Sequence, residues 1–180
     1  LPNNFEIRHN VFIFGHMSDL LKHNTANEVN EPIALYMAAG SSNSFFQLLG
    51  GHKAIKSSSD YDILSLTRQG LPKNVLLSLA KKISLTIQEL ANIMHISERT
   101  LQRYDDDAII KTEYSEKAVE LARLYARGEE VFGSMDKFKQ WMKSPAYVFK
   151  GEAPVSLLDT AFGFDMIFKE LGRIEHGIFA

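Results

Sequence analysis

The chain has 180 residues, 45% of them hydrophobic and 23% charged, which is enough to bury a core and excludes disorder as the main state. It contains no cysteine, which excludes a disulfide framework, a thiolate nucleophile and a cysteine metal site, and is compatible with a reducing compartment. The formal net charge of −2 excludes neither nucleic acid nor protein as a partner until its distribution is read.

That distribution is uneven. Between Leu71 and Tyr104, Lys73, Lys81, Lys82, Arg99 and Arg103 stand against Glu89 and Glu98, a local charge of +3 inside an acidic chain. No apolar run approaches the ~20 residues of a bilayer span. From the start, Leu rather than Met, a processed or trimmed chain is expected, and that start does not read as a signal peptide. No membrane role and a cytoplasmic location are therefore expected.

In chain order, FEIRHNVFIFG is β-branched and aromatic enough for a short strand, and EPIALYMAAG reads as a helix ended by Gly40. A loop SSNS precedes FFQLLGG, a short apolar turn or helix, and SSSDYD is a linker or helix entry. This part carries no assignable motif. Residues 1–63 are expected to form an extension serving packing or dimerisation.

The next stretch is more specific. After Pro72, Asn74 is expected to cap a helix with Val75, Leu76, Leu79, Ala80 and Ile83 on one face. TIQELANIM opens with Thr86 and has Glu89 three residues on, a capping box in which each side chain satisfies an unpaired backbone donor. Ile87, Leu90, Ala91 and Met94 then share a stripe. His95 and Ile96 interrupt it, Ser97 caps a second helix, and Leu101 with Tyr104 face inward. This spacing predicts a helix-turn-helix within residues 64–112. His95 stands where such turns often place glycine, and His is among the residues better able to adopt positive φ.

The second helix, SERTLQRY, has the chemistry of a recognition helix. Arg99, Gln102, Arg103 and Asp106 fall at i, i+3, i+4 and i+7, away from Leu101 and Tyr104. Arg reads guanine and Gln reads adenine by paired hydrogen bonds in the major groove. Ser97, Arg99, Thr100, Gln102 and Arg103 are the candidate DNA-contacting residues. The run Asp105-Asp106-Asp107 opposes phosphate at the far end, so only the N-terminal part of the helix is expected to meet bases.

Residues 113–180 read as an acidic helical domain. Ser115 is expected to cap a helix through Arg127, with Ala118, Leu121, Ala122 and Tyr125 inward and Gly128 near its end. Ser134 caps DKFKQWMKS, where Phe138, Trp141 and Met142 share a face, and Pro145 stops it. The loop PAYVFKGEAP leads to VSLLD, and a last helix carries Phe164, Ile167, Phe168 and Leu171 before stopping at Gly172. The fold class expected is mainly α.

EEVFGSMDKFKQWMKSPAYVF, the segment Pro154 to Asp159 and LGRIEHGIFA together resemble the C-terminal half of the Xre/MbcA/ParS family of antitoxins. LSLTRQGLPKNVLLSLAKKISLTIQELANIMHISERTLQR resembles the Xre-like helix-turn-helix half. The chain departs from the family at Ala146 to Gly151, where Tyr147, Val148 and Phe149 replace polar, Gly-rich text. The resemblance implies a type II toxin-antitoxin module whose partner is a RES-domain toxin that degrades NAD. It also implies that the antitoxin covers the toxin's NAD pocket and represses its own promoter.

The chain ends apolar, on Ile-Phe-Ala. Under the resemblance, Arg173, Glu175, His176, Ile178, Phe179 and the Ala180 carboxylate are candidate toxin contacts, the tail acting as a plug. The alternative is that Ile178 and Phe179 complete the chain's own core or a dimer contact. A homodimer within a heteromeric toxin complex is expected, because paired recognition helices meet half-sites roughly 34 Å apart.

An enzyme is not expected. His9, His16, His23, His52, His95 and His176 contain no pair at i, i+3 or i+4, and no P-loop, G-x-S-x-G or dinucleotide fingerprint occurs. No catalytic residue, metal or cofactor is assigned. A stand-alone helix-turn-helix regulator is the competing reading.

Overall fold

A computed structural model describes residues 41–50 and 59–177. The strand over FEIRHNVFIFG, the helix over EPIALYMAAG and the last residues Ile178, Phe179 and Ala180 lie outside them. The described chain is helical: α1 Ser41–Leu48, α2 Asp60–Gln69, α3 Lys73–Lys82, α4 Ile87–Met94, α5 Glu98–Arg103, α6 Thr112–Phe132, α7 Met135–Lys143 and α8 Ala161–Glu175. Two 3₁₀ segments, Tyr147–Phe149 and Pro154–Asp159, join α7 to α8. Among the described residues there is no strand, only an isolated bridge between Pro72 and Ile109.

The organising element is α6, whose 21 residues make a rod about 30 Å long. Ala118, Leu121, Ala122, Leu124 and Tyr125 are fully buried along it, because α1, α2, α3, α4, α7 and α8 all pack against it. Among the described residues no helix is long and apolar enough to cross a membrane. The inward stripe Ala118, Leu121, Ala122 and Tyr125 is the one its periodicity predicts. α7 returns against the end of α6, where the Phe138 ring stacks edge-on to Tyr125 at 5.1 Å and contacts Phe132 and Trp141. A Cβ on Gly128 would come within 2.3 Å of the Phe138 ring, so glycine here is a seat for an aromatic ring. α8 runs parallel to α6: Lys117 lies over Phe164 near its start, and Arg127 meets Glu175 at its end.

Several expected boundaries are displaced, each by a tertiary partner. SSNS is helical and not a loop: α1 seats Phe45, Phe46 and Leu48 in the core, and the Ser44 hydroxyl donates to the Glu129 carboxylate. Asn74 is not a cap. Pro72 holds that position, and the free N–H groups of Lys73 and Asn74 donate to the carbonyls of Ala108 and Asp106, both at 2.9 Å. Ser115 is likewise inside the first turn of α6, fully buried, its hydroxyl accepting from the Leu71 N–H at 2.9 Å. A buried side-chain acceptor for another segment's backbone serves where a solvent-exposed cap was expected.

The helix does not end near Gly128 but runs to Phe132, and Gly133 closes it at φ 65°. α8 passes through Gly172 to Glu175, with Gly177 at φ 66° beyond it. Ile87, placed on the inward stripe of α4 by periodicity, is 39% exposed, and Ile93 is buried instead.

Candidate functional sites

The helix-turn-helix is built by short-range chemistry. The Thr86 hydroxyl accepts from the Glu89 N–H at 3.1 Å, and the Thr86 N–H donates back to the Glu89 carboxylate at 2.6 Å. Burial opposes ionisation of Glu89, but the Thr86 hydrogen bonds and the Lys143 ammonium outweigh it and hold its pKa below the ordinary carboxylate value. Leu90, Ala91, Ile93 and Met94 are buried, and His95 closes α4 in the left-handed region at φ 54° and ψ 40°. The Ile96 N–H donates to the Ala91 carbonyl, and the Ser97 hydroxyl caps α5 by accepting from the Thr100 N–H at 3.0 Å. The turn predicted from sequence is therefore formed, with histidine in the strained position.

α5 buries Leu101 and exposes Ser97, Arg99, Thr100, Gln102 and Arg103 together. Neither arginine is held in an ion pair among the described residues. The helix stops at Arg103, so Asp106 is not on its outward face as the i+7 spacing had it. The acidic run folds back instead. Asp106 pairs with Lys73 at 3.1 Å, and Asp107 accepts from the Asn74 amide at 2.8 Å. Lys73, buried to 7% exposure, also donates to the Tyr104 carbonyl at 2.6 Å. These carboxylates sit at the N-terminus of α3, where the helix dipole favours negative charge, and clasp the end of α5 to it. Sequence reasoning missed this clasp, because nothing local to Lys73 points to a loop 33 residues away.

The C-terminal domain carries the other candidate set. Arg127 pairs with Glu130 at 3.1 Å and with Glu175, so Glu175 is anchored within the chain and fixes where α8 ends. Arg173 pairs with Glu170 at 3.5 Å, and His176 and Gly177 are exposed beyond the helix. Arg173, Glu175 and His176 thus lie at one end of the molecule, and Gly177 turns the chain out of the helix just before the tail. The Arg127–Glu175 pair was not visible from spacing, since it joins α6 to α8. The loop after α7 is anchored by buried Phe149 against Trp141, with ring centroids 6.2 Å apart, and presents Tyr147 to solvent.

A groove of about 520 Å³ lies between α2, α6 and α8, lined by Thr67, Glu116, Val119, Glu120, Arg123, Asp165 and Phe168. Burial pushes the Glu120 carboxyl above its ordinary value, with Asp165 adding to it and Lys117 and Arg123 opposing. A carboxyl whose pKa is higher folded than unfolded favours the native state while protonated and loses that contribution as pH rises through the carboxylate range. Glu120→Gln is accordingly expected to raise Tm at pH 7 slightly, on the order of 1–2 °C for a partly exposed group. Thermal unfolding from pH 4 to 8 checks this. The gain should vanish at the acid end, and a pH-independent difference would assign it to another cause.

Comparison with known proteins assigns both halves. Residues 62–123 match the model of the antitoxin Xre-like helix-turn-helix domain, and residues 127–177 match that of the antitoxin Xre/MbcA/ParS C-terminal toxin-binding domain. The chain is 27% identical over 124 residues to Antitoxin Xre of Photorhabdus laumondii, covering 68% of this chain and 84% of that one. It is 29% identical over 116 residues to Antitoxin Xre of Yersinia enterocolitica, covering 63% and 78%. A third relative, named Prs ADP-ribosylating antitoxin, from a Sphingobium species, is 23% identical over 139 residues, covering 72% and 87%. With these two matches lying one after the other over residues 62–123 and 127–177, the chain belongs to the Xre/MbcA/ParS family of antitoxins.

Proposed function

We propose that this chain neutralises a cognate toxin with its C-terminal domain and represses its own operon with its helix-turn-helix. The carrying observation is the pairing of an exposed recognition face, Ser97 to Arg103, with a toxin-binding domain whose last helix releases the chain at Gly177. The partner is read as a RES-domain toxin that consumes NAD. The relative named for Prs ADP-ribosylation supports that direction, because ADP-ribosyl transfer draws its group from NAD. Ile178 and Phe179 then act as apolar anchors at the toxin's active-site mouth, flanked by Arg173, His176 and Ala180. Glu175 positions the exit through Arg127. The chain works in the cytoplasm as a homodimer, since two recognition helices are needed to meet two half-sites.

The test is co-expression with the product of the adjacent gene, purification of the complex, and NAD consumption by the toxin with and without antitoxin. Removing Gly177 to Ala180 is expected to weaken toxin binding by roughly 10- to 100-fold, the effect of losing one or two buried anchors. The truncated chain should keep its unfolding temperature, because Gly177 is exposed and beyond the last helical turn. Full neutralisation by the truncated chain would remove the plug from the mechanism, and a folded neighbour that forms no complex would leave a stand-alone regulator.

A further inference from the structure

The acidic C-terminal domain contains one basic stretch. Between Ser134 and Gly151, Lys137, Lys139, Lys143 and Lys150 stand against Asp136, a local charge of +3. The chain after it carries Lys169 and Arg173 against Glu152, Asp159, Asp165, Glu170 and Glu175, a charge of −3. The fold brings this stretch to the other one of +3, Leu71 to Tyr104. Lys143, the last residue of α7, pairs with Glu89 at 3.4 Å, and Glu89 belongs to the capping box at the start of α4. At the far end of α4 the His95 Nε2–H donates to the Asp159 carbonyl at 2.6 Å, so the C-terminal domain is docked along the first helix of the helix-turn-helix.

The loop that follows Lys143 holds a fixed shape. The Ala146 N–H donates to the Glu152 carbonyl at 3.1 Å and the Gly151 N–H to the Ala146 carbonyl at 3.0 Å, which closes the base of the loop. Within it the Lys150 N–H donates to the Tyr147 carbonyl at 2.9 Å, and Lys150 turns the chain at φ 57°. Phe149 is buried against Trp141, so the tip is held outward: Tyr147 is 94% exposed, the highest value among the large hydrophobic residues described, with Val148 and Lys150 exposed beside it. A tyrosine on a closed loop loses little conformational freedom on binding. Of the two nearby carboxylates, Asp136 pairs with Lys139 at 3.3 Å, and Glu152 accepts from the Ser156 hydroxyl at 3.2 Å.

We propose that this loop is a second DNA-contacting element, in which Tyr147 and Lys150 hold phosphates beside each half-site while α5 reads its bases. The proposal rests on the helix-turn-helix reading above and extends the DNA surface into the C-terminal domain. In a helix-turn-helix docked on a duplex, the first helix crosses the sugar-phosphate backbone. α4 is that helix, and Tyr147 follows Lys143 by four residues, a span of at most about 14 Å. That is less than half a duplex turn, about 17 Å, and along it the backbone offers a charge every ~1.7 Å of axis. A lysine ammonium meets a phosphate as a point charge, and a tyrosine hydroxyl donates to a phosphate oxygen while its ring covers the sugar. The sign of the stretch decides the occupant: a local +3 in an acidic chain draws a polyanion. Phosphate contacts carry no sequence information, so the loop adds affinity on any duplex.

The test uses the full chain and a labelled duplex carrying its own promoter. Operator Kd is measured by fluorescence anisotropy at several salt concentrations for the wild type, Tyr147→Ala, Lys150→Ala and the double variant, with a scrambled duplex and the toxin titrated in parallel. Lys150→Ala is expected to lower the slope of log K against log salt by about 1 and to weaken binding about 5-fold near 0.15 M salt. The double variant should lose roughly 10-fold, equally on operator and scrambled duplex, because no base is read. In hydroxyl-radical footprinting, sugars at the rim of the site should lose protection while those at its centre keep it. Both side chains are exposed, so the unfolding temperature should stay within about 2 °C of wild type. A double variant with operator affinity within twofold of wild type and an unchanged salt slope overturns the proposal. The same result with weakened toxin binding assigns Tyr147 to the toxin instead. A wild-type chain that binds no duplex overturns the DNA-binding reading, and the loop's role falls with it.

Discussion

Gly163→Ala is expected to lower the unfolding free energy by about 3 kcal/mol or more, at the upper end of what overpacking costs. In a chain of this size that corresponds to roughly 6–12 °C in Tm. The reason is a backbone contact. A Cβ at Gly163 would lie 1.7 Å from the Leu157 carbonyl oxygen and 2.7 Å from its carbon. A side chain in the way can rotate, but a carbonyl held in the 3₁₀ segment Pro154–Asp159 moves only if that segment moves, and buried Leu158 pins it. The same residue donates its N–H to the Thr160 cap, so displacing it also removes a helix-start hydrogen bond. Because α8 carries Arg173 and Glu175 and leads to Gly177, toxin neutralisation should fail alongside stability. Urea and thermal unfolding read the first effect and co-purification with toxin the second. A variant with wild-type Tm would mean that the segment yields, and that the tight approach is not a constraint on the fold.

Gly163 also marks what the sequence hides. A glycine two residues into a helix has no local signature of close packing, since the atom that excludes a side chain belongs to a different segment. The features that were legible are those decided within four residues of each other. Thr86 with Glu89, Ser97 with Thr100, the stripe along α6 and positive φ at His95 all depend on helix periodicity or on one cap, and all are formed. The boundaries that moved are those where a distant backbone group replaces a local cap. Asn74 lost its capping role because the carbonyls of Asp106 and Ala108 already satisfy that helix start, and Ser115 because Leu71 claims its hydroxyl. The candidate sites divide in the same way. The face of Arg99, Gln102 and Arg103 follows from helical spacing, while the clasp at Lys73, the Arg127–Glu175 pair and the bond from His95 to Asp159 join residues 31 to 64 positions apart.

The double variant Arg99→Ala with Arg103→Ala is expected to weaken operator binding by on the order of 100-fold or more, with toxin binding unchanged. A bidentate arginine contact to a base contributes about 1–3 kcal/mol of discrimination, and the two positions, four apart on an exposed face, reach the same groove. α5 has only six residues, and these two arginines are its only cations, so no neighbour on the helix can substitute for them. Of the acidic run beyond them, Asp106 is offset by Lys73 and Asp107 is held by the Asn74 amide. Salt dependence separates the two possible roles. If an arginine reads a base, its removal relaxes sequence preference at one position. If it holds a phosphate, its removal weakens all sequences alike and lowers the slope of log K against log salt by about 1. Anisotropy titrations on operator and scrambled duplexes at two salt concentrations distinguish them. Operator affinity within twofold of wild type would place the DNA surface elsewhere on the chain.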